Sequence, residues 1–250
     1  MLDHIVSVAR RRAAVVAARP VEAPAARRRS LRRALRGRGL AVIAEVKRRS
    51  PSAGSLADDL DAADQARRYV EGGAAAVSVL TEPEFFAGSL DDLRAVRRAV
   101  TVPILRKDFL LHPAQVAEAA AAGADAVLLI AAIVDDDVLG ALIAEARRLG
   151  LDALVEVHDE AEVARALGAG ADLVGVNNRD LTTFEVDLGV AERLANLLPD
   201  DVVRVAESGV SDVRGARRMA AAGYDAILVG EAAVRAEDPA AFVAALGGAR

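Results

Sequence analysis

The sequence has no cysteine, only two lysines and only three histidines in 250 residues, and aromatic side chains make up 3% of it. Without cysteine there is neither a disulfide framework nor a thiolate metal site. His4, His112 and His158 lie far apart, with no carboxylate partners at ligand spacing, which argues against a histidine-based metal centre. No apolar run approaches the roughly 18 residues that cross a bilayer, and the start lacks the continuous apolar core of a signal peptide. The expectation is a soluble cytoplasmic protein with no membrane partner. A net charge of −5 argues against general nucleic-acid binding.

The shortage of lysine is the most informative of these. Of the 32 basic residues, 30 are arginine, and the two lysines are Lys47 and Lys107. Such a bias replaces lysine wherever a basic side chain merely solvates a surface. Arginine cannot release its proton near neutral pH, whereas lysine can be tuned into a general acid or base. Lys47 and Lys107 are therefore candidate proton-transfer positions. The arginines also concentrate in RRRSLRRALRGRG (27–39), but Leu31, Ala34 and Leu35 are spaced as one apolar helix face, so the segment reads as an amphipathic helix with a solvated basic side.

Four stretches repeat one plan: EGGAAAVSVL (71–80), AAGADAVLLI (121–130), GAGADLVGVN (168–177) and AAGYDAILVG (221–230). Each ends a helical pattern with glycine and runs into a short apolar, β-branched segment. Extending the search gives eight strand candidates: 41–46, 75–80, 102–106, 126–131, 152–157, 172–177, 202–207 and 226–230. Their near-continuous apolar character suits parallel strands covered on both faces. Eight strand–helix units predict an α/β fold, a (β/α)8 TIM barrel over 41–250 with an added helical segment over 1–40, in one domain. An open doubly wound sheet is disfavoured, because EVKRRSPSAG after the first strand is not a Gly-rich nucleotide fingerprint.

In such a barrel the C-terminal strand ends and the loops after them form one mouth. That mouth receives Glu45, Lys47 and Ser50, then Lys107 and Asp108, Glu156, Asn177 and Arg179, Glu207 with Ser208 and Gly209, and finally Gly230 and Glu231. Taken singly, each has an ordinary structural explanation. Two lysines, three glutamates and an amide in one bowl point to proton chemistry. Gly209 and Gly230 follow adjacent strands, where backbone N–H groups and helix N-termini receive phosphate in barrels. Phe85, Phe86 and Phe109 fall in loops beside the bowl, as a roof for a flat apolar group or as core packing.

From residue 40 onward the chain resembles the indole-3-glycerol phosphate synthases of tryptophan biosynthesis. The likeness rests on IAEVKRRSPS, SVLTEPEFFAGSLDDL, PILRKDF, GADAVLLIAA, LVEVH, GVNNRDLTTFEVDL, ESGV and VGEA, in the family's order and spacing. It implies a cofactor-free and metal-free ring closure of 1-(2-carboxyphenylamino)-1-deoxyribulose 5-phosphate, giving indole-3-glycerol phosphate, carbon dioxide and water. Lys107 matches the family's proton donor, and Lys47, Glu156 and Glu45 match groups serving the later steps, with Asn177 and Ser208 in the same catalytic set. Asn177, Arg179 and Glu207 resemble residues holding the ribulose hydroxyls. Ser208, Gly209, Gly230 and Glu231 match the phosphate cradle, and Ser50 lies at the anionic end. Phe86, Phe109 and Leu181 resemble the lining for the aryl ring. Ala53, His112, Ala114 and the AAV at 232–234 depart from common family residues, and none of them is a proton-transfer group. Other enzymes of the same pathway are the protein partners this resemblance allows.

Two other readings compete. A sugar-phosphate isomerase on the same barrel, such as phosphoribosylanthranilate isomerase, would not need two mouth lysines. A non-catalytic barrel binding a phosphorylated metabolite would tolerate loss of Lys107. Nucleic-acid binding by residues 27–39 would weaken steeply with salt.

Overall fold

Strand β1 (Ala41–Val46) opens the main sheet, followed by β4 (Ala76–Leu80), β5 (Ile104–Lys107), β6 (Ala126–Ile130), β7 (Asp152–Val157), β8 (Leu173–Asn177), β9 (Val203–Glu207) and β10 (Ala226–Val229). All neighbouring pairs are parallel, and β10 closes on β1. The eight expected strands are present, as the closed barrel expected from the sequence. This is a computed structural model, describing residues 2–19, 21, 28–37, 39–181 and 183–249. Several strand starts fall one or two residues later than expected. Val102 and Pro103 precede β5, where proline has no N–H to give a ladder. At the other end Lys107 is itself in the strand, paired in register with Leu80. A small hairpin, β2 (Arg49–Ser50) and β3 (Gly54–Ser55), was not anticipated; it rises from the loop after β1.

Helices α3 (Ala62–Glu71), α4 (Pro83–Phe86), α5 (Leu90–Ala99), α6 (Pro113–Ala122), α7 (Asp136–Arg148), α8 (Glu160–Gly168), α9 (Gly189–Leu194), α10 (Val213–Ala221), α11 (Glu231–Arg235) and α12 (Pro239–Gly247) connect and follow the strands. Side-chain caps set many of their starts. Asp61, Ser89, Asp135, Asp159, Asp212 and Asp238 each accept a backbone N–H of the first turn. His112 does so for α6, its imidazole Nδ1 accepting from Ala114 N at 3.1 Å. Gly123, at φ 96°, then ends α6 in the left-handed conformation that glycine adopts without penalty.

The period of two along a strand sorts side chains into an outer core against the helices and an inner core within the barrel. Val42, Ala44 and Val46 of β1 face outward, while Ile43 joins Leu105, Leu154 and Val205 inside. These four come from alternate barrel strands, β1, β5, β7 and β9, as one layer of such a barrel should. Two residues further along the same strands stand Glu45, Lys107, Glu156 and Glu207. Where another apolar layer would sit, this barrel carries three acids and a lysine.

The helical segment before the barrel divides between its two ends. Helix α2 (Leu31–Leu35) inserts Leu31 and Leu35, both essentially fully buried, into the inner core. The basic stretch is thus a floor plug, shorter than the expected helix; Arg27 and Arg38 lie outside the described residues. Acidic groups where strands begin hold it. Ser30 Oγ and Arg32 N both donate to Asp152 Oδ2 at 2.9 Å, and Arg29 N donates to Asp125 Oδ1 at 2.9 Å. Helix α1 (Leu2–Ala17) packs instead near the mouth and against α6. Its Arg12 forms a bidentate pair with Asp108 at 2.9 Å through both nitrogens. Asp108 also receives Thr81 Oγ1 at 2.7 Å and the fully buried Arg106 at 3.1 Å. Asp108 borders the mouth as expected, but its carboxylate is committed to anchoring α1.

Candidate active site

Lys107 Nζ lies 2.9 Å from Glu156 Oε2 and 2.9 Å from Glu207 Oε2. Burial by itself disfavours the ammonium, but Glu156, Glu207 and Glu45 outweigh it and hold the Lys107 pKa above its ordinary value. Lys107 is therefore a cation at working pH, with a proton to give. Its two carboxylates differ. Burial would also push Glu156 up, yet Lys107, His158 and Asn177 overcome it and keep Glu156 well below the usual carboxylate range. Asn177 Nδ2 donates to Glu156 Oε1 at 2.9 Å. At Glu207 burial wins: the carboxyl is pushed up to about 7, opposed by Lys107 and helped by Glu156 and Glu45. Its Oε1 is buried without a hydrogen-bond partner among the described residues and packs over Gly175, where an added Cβ would overlap it. An unsolvated, undonated oxygen destabilises the charged form, which accounts for the rise.

Across the mouth Lys47 Nζ pairs with Glu45 Oε1 at 2.9 Å, and Ser78 Oγ donates to Glu45 Oε2 at 3.3 Å. Gly230 lets this pair approach: a Cβ there would stand 2.5 Å from Glu45 Oε1 and 3.0 Å from Lys47 Nζ. After β9, Ser208 and Gly209 both take positive φ, 62° and 83°. Left-handed serine is strained, and Asn178 Nδ2 ties the turn down through the Glu207 and Ser208 carbonyls at 3.0 and 3.2 Å. Asn178 thus braces this loop. Helix α10 is capped by its own Asp212, whereas α11 starts at Glu231 with no side-chain cap, its first N–H groups beside the cavity.

These groups line one cavity of about 440 Å³, within the range of small-molecule sites. Lys47, Lys107, Glu45, Glu156, Glu207, Asn177, Ser208, Ser50, Arg179, Gly209, Gly230 and Glu231 all border it, as do Phe86, Phe109 and Leu181. Phe86 and Phe109 form one wall, their ring centres 6.2 Å apart and tilted by 40°. Phe85 is not part of it; it turns to meet His4 of α1 edge-on at 5.5 Å. Arg179 donates to the Phe184 carbonyl at 3.0 Å and shapes the loop after β8. Sequence reasoning missed Leu2 and Ile5 of α1, Phe184 and Ser211, which also line the cavity. It also missed the partners of His158: Glu156, two residues before it, and Glu162, four residues after. The four-residue spacing to Glu162, across the start of α8, was the available signal.

Barrel, mouth cavity and paired lysines and glutamates together define a class, the (β/α)8-barrel enzymes. The family model described as "Indole-3-glycerol phosphate synthase" matches residues 3–246. The chain is 59% identical over 204 residues to the indole-3-glycerol phosphate synthase of Nocardioides sp., covering 82% of this chain and 78% of that protein. It is 55% identical over 213 residues to the one of Mycobacterium ulcerans, covering 85% and 78%. The chain belongs to the indole-3-glycerol phosphate synthase family, decarboxylating lyases of tryptophan biosynthesis. Solved structures share the fold at low identity. The 3-hexulose-6-phosphate synthase of Salmonella typhimurium superposes with a TM-score of 0.68 at 16% identity, over 83% of this chain and 97% of that one. The thiamine phosphate pyrophosphorylase of Pyrococcus furiosus gives 0.62 at 20% identity, over 87% and 96%. Among the described residues no helix is long and apolar enough to cross a membrane.

Proposed function

We propose that this chain closes the indole ring of 1-(2-carboxyphenylamino)-1-deoxyribulose 5-phosphate, and that Lys107 supplies the first proton. The supporting observation is the Lys107 ammonium, half-buried and held between Glu156 and Glu207 at 2.9 Å each. The ring carbon bearing the carboxylate attacks the ketone carbon, and the carbonyl oxygen collects negative charge. An alkoxide is a stronger base than a lysine amine, so Lys107 protonates it as the carbon–carbon bond forms. Cleavage of the ring-to-carboxylate bond releases carbon dioxide and returns its electron pair to the ring. Loss of the new hydroxyl as water then requires a second donor and an acceptor. Lys47, paired with Glu45, and the carboxyls around Lys107 supply them.

The aryl group fits the wall of Phe86, Phe109 and Leu181, with Leu2 and Ile5 adding apolar lining to the same cavity. Ser50 and Lys47 suit the substrate carboxylate. The phosphate belongs to the loop N–H groups from Ser208 to Ser211 and the uncapped start of α11. Arg179 and Asn177 face the ribulose hydroxyls.

The test is product formation from this substrate, read by indole fluorescence, for the wild type, Lys107→Arg and Lys107→Met. Wild-type turnover is expected, with both variants losing at least about 100-fold in kcat while still binding substrate. Activity preserved in Lys107→Arg would show that charge alone is needed and overturn the proton-donor role. An inactive wild type that binds the substrate would favour a binding barrel.

A further inference from the structure

His158 stands beside Glu156, the carboxylate that Lys107 touches, and no step of the reaction uses it. Its Nδ1 lies 3.0 Å from Glu162 Oε2, and its backbone N–H donates to that same oxygen at 2.8 Å. Glu162 itself is fixed in the first turn of α8, where its N–H meets the Asp159 cap at 2.8 Å. The other ring nitrogen, Nε2, is buried, has no hydrogen bond, and lies 3.4 Å from Glu156 Oε1. That distance suits an ion pair more than a well-made hydrogen bond. Lys107 takes Glu156 Oε2 and Asn177 takes Oε1, so the imidazole completes the surround of that carboxylate.

We propose that His158 is a positioning residue which, clamped by Glu162, holds Glu156 as a carboxylate with both oxygens occupied and so makes Glu207 the proton-exchanging partner of Lys107. The inference rests on the synthase reading for its catalytic consequence; the clamp itself does not. The charged groups facing His158 are Glu156 of β7, the strand that His158 directly follows, and Glu162 on α8. Those facing Glu156 are Lys107 of β5 and His158, and those facing Glu207 of β9 are Lys107, Glu156 and Glu45 of β1. Burial works against the imidazolium, but Glu156 and Glu162 together raise His158 to about 10, consistent with a permanent cation between them. A fixed cation behind one of two like-charged carboxyls separates them: the one so held stays charged, and the other takes the proton. Glu207 has the matching geometry, one oxygen on Lys107 and one without a donor. When Lys107 gives up its proton, Glu207 is positioned to return one along the 2.9 Å contact.

Two measurements decide this. First, imidazole NMR titration of wild type and Glu162→Gln, with the His158 signal assigned by its loss in His158→Ala. The wild-type ring should remain charged from pH 6 to 8.5, and Glu162→Gln should bring its titration into that window. Second, kcat and KM against pH for His158→Ala and His158→Gln. His158→Ala should lose about ten-fold in kcat, the lower end of what removing a group behind a reactive residue costs, with KM changed less than about two-fold. Its limb near pH 7 should also move, because the proton is then shared between Glu156 and Glu207. Gln, able to donate to Glu156, should recover part of the loss. A wild-type His158 that titrates within the window refutes the clamp. A His158→Ala enzyme that is less stable but keeps its pH profile and kcat reduces His158 to packing. If the wild type makes no product, the synthase reading fails while the NMR titration still decides the clamp.

Discussion

Replacing Leu35 with alanine tests whether the basic stretch before the barrel serves as its floor. Leu35 is 1% exposed and Leu31 beside it 0%, and both contact the inner core. Truncation removes three carbons from that core, a transfer loss of about 2.5 kcal/mol at ~0.8 kcal/mol per carbon. The barrel interior is ringed by hydrogen-bonded strands and cannot collapse into the space, so a cavity cost raises the total to about 3–4 kcal/mol. For a chain of this size that is a fall in Tm of roughly 6–16 °C. Leu31→Ala should cost about the same. The double variant should cost other than the sum, because the two side chains share one cavity. Denaturant unfolding, with Tm by calorimetry, measures this; kcat below the transition should be close to wild type, since the plug lies at the opposite end from the mouth. A loss under about 1 kcal/mol, or a collapse of kcat at full stability, would refute the floor-plug assignment.

Asp108→Asn should destabilise by about 3 kcal/mol in denaturant unfolding, because it removes one of the two acids paired with the fully buried Arg106, leaving Glu118, and releases Arg12 of α1. Burial raises the Asp108 pKa, but Arg106 and Arg12 reverse this and hold it well below the usual range. Its stabilisation is therefore present above the unfolded value of about 3.9 and lost as pH falls through the folded one. Glu207 has the opposite sign. With its folded pKa pushed up to about 7 and an unfolded value of about 4.3, its contribution is complete below pH ~4.3 and is lost as pH rises through about 7. Stability of the wild type relative to Glu207→Gln should fall across that interval in denaturant unfolding series at several pH values; a flat difference would contradict the assignment.

The barrel strands were legible because each is a short, nearly unbroken run of β-branched and apolar residues, the mark of strands buried on both faces. The mouth residues followed from the strands, since position at a C-terminal end is enough to send Glu45, Lys107, Glu156 and Glu207 to the same place. What could not be read was which of them touch. Lys107 is 49 residues from Glu156 and 100 from Glu207, and no local pattern distinguishes the saturated carboxylate from the undonated one. Leu2 and Ile5 were hidden for the same reason: their place in the cavity depends on where α1 docks, which Arg12 and Asp108 settle across 96 residues of chain. Phe85 and Phe86 are adjacent in sequence, and only the short helix α4 decides that they face opposite ways.

The Arg12–Asp108 contact also carries a statement about time. At about 5–20 residues per second of synthesis, α1 leaves the ribosome roughly 5–20 s before the strand end that anchors it, and α6, its packing partner, follows still later. Throughout that interval Ile5, Val8 and Ala9 have no surface of their own to cover. One wall of the site is thus made before the barrel it closes and must wait for the third barrel strand before it can be set in place.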